Sequence, residues 1–101
     1  WMAFHDFLPR TWREQHVPRL NRRWTGDCWK LAVELAASPD FDFRILKVDH
    51  GIGVVRPNTE NPQLVDMRDS LLDAQFDTFV NQLESLPVCE WQDGIRWING
   101  A

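Results

Sequence analysis

The sequence predicts a small α+β domain, with helices first and then a mixed β region that holds one more helix. Three observations predict it. The chain has 101 residues, which is enough for one core and too few for two. Residues 28–37 carry charge only at Lys30 and Glu34, and a helix so apolar is surrounded by protein. From Phe41 onward, short runs rich in aromatic and β-branched residues alternate with turn residues, with one more helical stretch among them.

Each element follows from its residues. Residues 1–10, ending in Leu8-Pro9, read as a loosely packed N-terminal arm. Residues 11–24 read as a helix capped by Thr11, with Glu14 three positions on and Pro18 breaking it. Thr25-Gly26-Asp27 is a turn that ends in a good N-cap residue. The central helix runs from Cys28 to about Ala37, and Ser38-Pro39-Asp40 stops it. Phe41 to Val48 reads as a strand, Asp49-His50-Gly51 as a break, and Ile52 to Arg56 as a second strand. Residues 57–62 form a loop by composition, and Gln63 to Met67 reads as a short third strand. Asp69 or Ser70 then caps a helix to about Ser85, whose stripe of Leu72, Phe76, Phe79, Val80 and Leu83 is expected in the core. Val88 to Ile98 reads as a hairpin around Asp93-Gly94, with Trp91 and Arg96 facing each other across it. Residues 1–24 are thus an arm and helix, and residues 25–101 hold the core of a single domain.

Composition narrows the function classes. The net charge of −4 gives no global basic field for nucleic acid. Six of the eleven basic residues and three of the fifteen acidic ones fall in residues 1–30, so the ends of the chain differ in sign. Arg19, Arg22 and Arg23, near Trp12 and Trp24, can pair with the protein's own acidic half, and a nucleic-acid partner is disfavoured. No stretch has the apolar length of a membrane span, and no signal peptide is visible. The opening on Trp1 rather than Met reads as a piece of a longer chain, so localisation is not legible. Six Trp with no Tyr bring a large apolar payload, first to a core and then to a cleft or interface. Two Cys make no disulfide framework, and Cys89 reads as core. A metal site from Cys28, His50 and Cys89 with His5 or His16 lacks the close ligand pairing of structural zinc sites, so no metal or cofactor is expected.

Cys28 and His50 are the residues that point to chemistry. A neutral thiol is a poor nucleophile, and the first turn of a helix favours its thiolate. An imidazole beside it takes the proton and later returns it to the leaving group. Asp66 lies sixteen residues after His50 on the next expected strand, where it would hold the far ring nitrogen. The backbone N–H of Cys28 would face an oxyanion above the sulfur, with Asn21 as a loosely fitting second donor.

Gly26-Asp27-Cys28-Trp29 resembles the Gly-polar-Cys-Trp segment that opens the central helix of papain-like cysteine peptidases. The run from Val48 through His50-Gly51 to Val55 resembles the segment that supplies their histidine. Gln63-Leu64-Val65-Asp66 resembles the strand that carries the orienting Asn or Asp. The three pieces come in the family's order and cover about thirty residues. Two departures stand out. Only twenty-two residues separate Cys28 from His50, and Arg22 stands where the oxyanion glutamine is usual. The resemblance therefore implies a miniature form, a central N-terminal helix packed on a small antiparallel sheet with the thiol at their junction, similar to viral leader proteases or to papain-like and transglutaminase-like toxin domains. It implies a Cys28-His50-Asp66 triad acting on an amide bond of a protein or peptide substrate without a cofactor. A glutamine deamidase or transglutaminase-like effector would use the same three residues. A different class of reading is a non-enzymatic, Trp-rich binding or inhibitor module. The final Gly100-Ala101 resembles the small-residue sites at which leader proteases release themselves.

Overall fold

The structure is a computed structural model, and it describes residues 1–11, 15, 17 and 26–100. The expected helix over 11–24, with Pro18, Asn21, Arg22 and the basic arm, falls almost wholly outside the described residues. What is described is α+β, with a four-stranded mixed sheet and four helices. No helix among the described residues is long and apolar enough to cross a membrane.

Helix α1 spans Trp29–Ala37. Alanine, leucine, lysine and glutamate favour the helical state. Trp29, Ala32 and Val33 share a buried face at helical spacing, joined by Leu35. Ser38 ends the helix: its N–H bonds the Leu35 carbonyl at 3.1 Å and its hydroxyl bonds the Glu34 carbonyl at 2.7 Å.

The chain then turns back into β2, Phe41–Leu46, which pairs antiparallel with β3, Ile52–Pro57. The register runs from Phe41 opposite Pro57 to Leu46 opposite Ile52. The N-terminal arm is more ordered than its sequence suggests. Met2–Phe4 forms β1 and adds to the outer side of β3, with Phe4 opposite Gly53. Val88–Cys89 forms β4, which pairs parallel with β2. The sheet order is β1-β3-β2-β4, so the sheet is mixed rather than purely antiparallel.

Two expected elements are replaced. Gln63 to Met67 joins no strand. Its alternate N–H groups are taken by side chains instead: Gln63 by Asp40 at 3.0 Å, Val65 by the Ser38 hydroxyl at 2.8 Å and Met67 by Glu34 at 2.9 Å. With alternate donors satisfied by Glu34 of α1 and by Ser38 and Asp40 just after it, the segment has less need of a sheet edge. The expected hairpin over 88–98 is a two-residue strand followed by a helix at Trp91–Gly100. Trp91, Gly94, Ile95 and Ile98 recur at helical spacing, and this outweighs the Asp-Gly turn signal. Arg96 bonds Asp93 within that helix and does not stack on Trp91 across a hairpin.

The long helix expected after Ser70 is divided. It becomes α2 at Arg68–Leu71, α3 at Phe76–Gln82 and a 3-10 turn at Leu83–Ser85, and the C-terminal helix is therefore α4. Phe79 is buried and meets Trp29 edge-on at 5.8 Å, but Leu72, Val80 and Leu83 are exposed. The core stripe is narrower than the periodicity suggests.

Helices cover both faces of the sheet. Phe43, Ile45 and Val55 lie in one buried cluster with α1, Leu71, Phe79 and Phe7. On the other face α4 seats Gly94 against Leu46, so close that an added Cβ would lie 2.5 Å from the leucine Cγ. Arg44 on this face lies 4.9 Å over the ring of Trp97, which meets Trp1 edge-on at 5.1 Å.

Candidate active site

The chain path decides which site residues share an end of the molecule. Cys28 stands at the N-cap of α1. Between α1 and β2 lie three residues, Ser38 to Asp40, so β2 runs back along α1. A nine-residue helix is about 14 Å long and a six-residue strand about 20 Å. Asp6, whose charge acts on Cys28, directly precedes Phe7, which bonds the turn beyond the far end of β2. There the chain makes the turn of residues 47–51 that carries His50.

The turn is held by its backbone. Asp49 and Gly51 have φ of 52° and 85°, and the Gly51 N–H bonds the Val48 carbonyl at 2.9 Å. The arm that follows β1 clamps it from outside. The Phe7 N–H donates to the Gly51 carbonyl at 3.2 Å and the Leu8 N–H to the His50 carbonyl at 2.6 Å. The Leu8 side chain fills the space beside Gly51 where a Cβ would project. His50 is half-buried, and its Nε2 is shielded from solvent.

The same arm bears on the thiol. Cys28 as a residue is exposed, but its pKa is raised, first by crowding of the sulfur and then by the charges of Asp6 and Asp27. Its own backbone N–H acts in the opposite direction. Asp27 is 3.5 Å from Lys30. The first turn of α1 thus brings the sulfur to the surface without making it a standing thiolate. Residues 6–8 connect the two halves of the site: Asp6 acts on Cys28, while Phe7 and Leu8 hold the His50 turn.

Asp66 sits elsewhere. Its neighbours Val65 and Met67 are bonded to Ser38 and Glu34, which places it against the C-terminal half of α1. Its exposed carboxylate takes the Arg68 guanidinium at 2.9 Å and the Arg68 N–H at 3.0 Å. Those bonds hold its pKa below the usual carboxylate range. The expectation of Asp66 on a strand fails because alternate N–H groups of residues 63–67 are taken by the side chains of Asp40, Ser38 and Glu34 and not by a strand.

Two contributors were not read from the sequence. Asp6 carries no motif, and its charge acts on Cys28. Gln15 is a buried polar residue that accepts from the Trp29 indole N–H at 3.3 Å and donates to Gln75 at 3.1 Å, so it fixes the residue next to the thiol. A cavity of about 440 Å³ opens beside the His50 turn, lined by Leu8, Lys47, Asp49, Phe79, Leu83 and Val88. No group of three or more His, Cys, Asp or Glu that could hold a metal is found among the described residues. Cys89 is half-buried in β4, and burial raises its pKa.

Comparison with protein-family models, with curated proteins and with solved structures finds no match to this chain.

Proposed function

We propose that the chain is a small thiol-dependent acyl-transfer enzyme of papain-like kind, acting on an amide bond of a protein or peptide. Cys28 is the nucleophile and His50 the general base and acid. One observation supports the reading: the charge of Asp6 acts on Cys28, while the adjoining Phe7 and Leu8 bond the turn that carries His50.

The raised pKa of Cys28 sets the form of the mechanism. The thiol rests protonated, so His50 accepts its proton as the sulfur attacks the carbonyl carbon. The backbone N–H of Cys28, at the unpaired start of α1, donates to the oxyanion. His50 then passes the proton to the departing amine, and a thioester remains on Cys28. Water completes hydrolysis or deamidation, and a second amine completes transfer.

A second reading has its own observation. Trp1 and Trp91 are exposed, and on one face Arg56 lies over Trp1, Trp1 meets Trp97 edge-on and Arg44 lies over Trp97. A binding module would use that face and leave Cys28 idle. Iodoacetamide labelling near pH 7, read by peptide mass, separates the two. The enzyme reading expects Cys28 to label on the order of tenfold faster than Cys89, with the excess lost in His50→Ala. Equal labelling of both thiols that ignores His50 contradicts it.

A further inference from the structure

We propose that the outer side of α3 is a docking surface for a basic, amphipathic segment of a partner protein. The proposal stands apart from the acyl-transfer reading, because it uses neither Cys28 nor His50.

The apolar stripe of α3 is wider than the core that covers it. Phe76, Phe79, Val80 and Leu83 recur at spacings of three and four, so they share one side of the helix. Phe79 is 3% exposed and packs on Trp29. Leu83 is 39% exposed and Val80 48%. The core therefore takes one edge of the stripe and leaves the other in water. The uncovered part runs into a cavity of about 440 Å³, whose walls include Leu8, Phe79, Leu83 and Val88. That volume falls within the range of pockets that take a ligand, about 300–1,000 Å³.

Charge decides the occupant. Residues 69–90 carry five acidic residues and no basic one. Asp77 lies three residues before Val80 and Glu84 four after it, so both flank the uncovered apolar side, and both are exposed. Among the described residues, Asp77 and Glu84 are in no ion pair, and neither are Asp69 and Asp73 on the approach to α3. The charged residues that line the cavity itself bring no opposing field: Lys47 pairs with Glu90 at 3.4 Å, and Arg10 and Asp49 are of opposite sign. Unused negative charge beside uncovered apolar surface is complementary to a segment with apolar anchors on one side and Lys or Arg next to them. The net charge of −4 sets two copies of the chain against each other and favours a basic partner over a second copy.

The test titrates the full chain into a fluorescein-labelled helical peptide of Leu and Lys, with Leu at helical spacing, and reads fluorescence anisotropy. One control peptide has the same composition with Leu scattered around the helix, and another has Glu in place of Lys. We expect the amphipathic Lys peptide to bind about tenfold tighter than either control. Val80→Ser combined with Leu83→Ser should weaken its binding about tenfold, with the urea midpoint kept because both side chains are exposed. Asp77→Asn combined with Glu84→Gln should weaken it about fivefold and flatten its dependence on salt. Trp91→Ser, in α4 on the other face of the sheet, should leave it unchanged. Equal binding of the scattered-Leu peptide, or binding that both double variants leave intact, overturns the docking surface. Sedimentation showing self-association that Val80→Ser with Leu83→Ser abolishes would give the surface to a second copy and overturn the basic partner.

Discussion

Gly51 shows how much of the site depends on one backbone angle. At φ of 85° and against the Leu8 side chain, a Cβ would be strained twice. Gly51→Ala should therefore destabilise the chain by about 1–3 kcal/mol, read as a lower midpoint in urea. It should also loosen the clamp on His50, so Cys28 alkylation should lose its dependence on His50 in the same variant. A Gly51→Ala chain with an unchanged midpoint would mean that Leu8 does not grip the turn. Cys28 and His50 were legible as candidates because Gly-Asp-Cys-Trp and Asp-His-Gly are local signals. Asp6 was not, because residues 1–10 name no partner.

At the scale of elements, α1 is the reference against which the other parts are placed. Its apolar run, and the two strands that follow, were read correctly because each buries residues at its own period. Gln63 to Met67 reads as a short strand, but Ser38, Glu34 and Asp40 supply what its alternate N–H groups need. Nothing in five residues reveals whether their partners will be carbonyls or side chains. Val88 to Ile98 misleads in another way: Asp93-Gly94 is a strong turn signal, yet Gly94 serves to bring α4 close to Leu46. Ser38 links both ends of one such contact, accepting from Val65 while donating to the Glu34 carbonyl. It is buried, so Ser38→Ala strands a donor and should cost about 1–3 kcal/mol. Hydrogen exchange should show Val65 losing protection while β3 keeps it. Equal loss in β3 would place residues 63–67 on the sheet after all.

For the whole molecule, the direction of the chain matters more than any single contact. A helix that leads by a three-residue link into an antiparallel course puts its first residue near the end of the strand. The proposed function requires that this course bring Cys28 and His50 to one end of the fold, while Asp66 is flanked by bonds to Ser38 and Glu34. The most direct test is chemical bridging. In a chain carrying His50→Cys and Cys89→Ser, dibromobimane should join positions 28 and 50 and give one fluorescent, intramolecularly linked species. The matching chain with Asp66→Cys in place of His50→Cys should give none. Bridging from position 66 to 28, with none from position 50, would contradict the account.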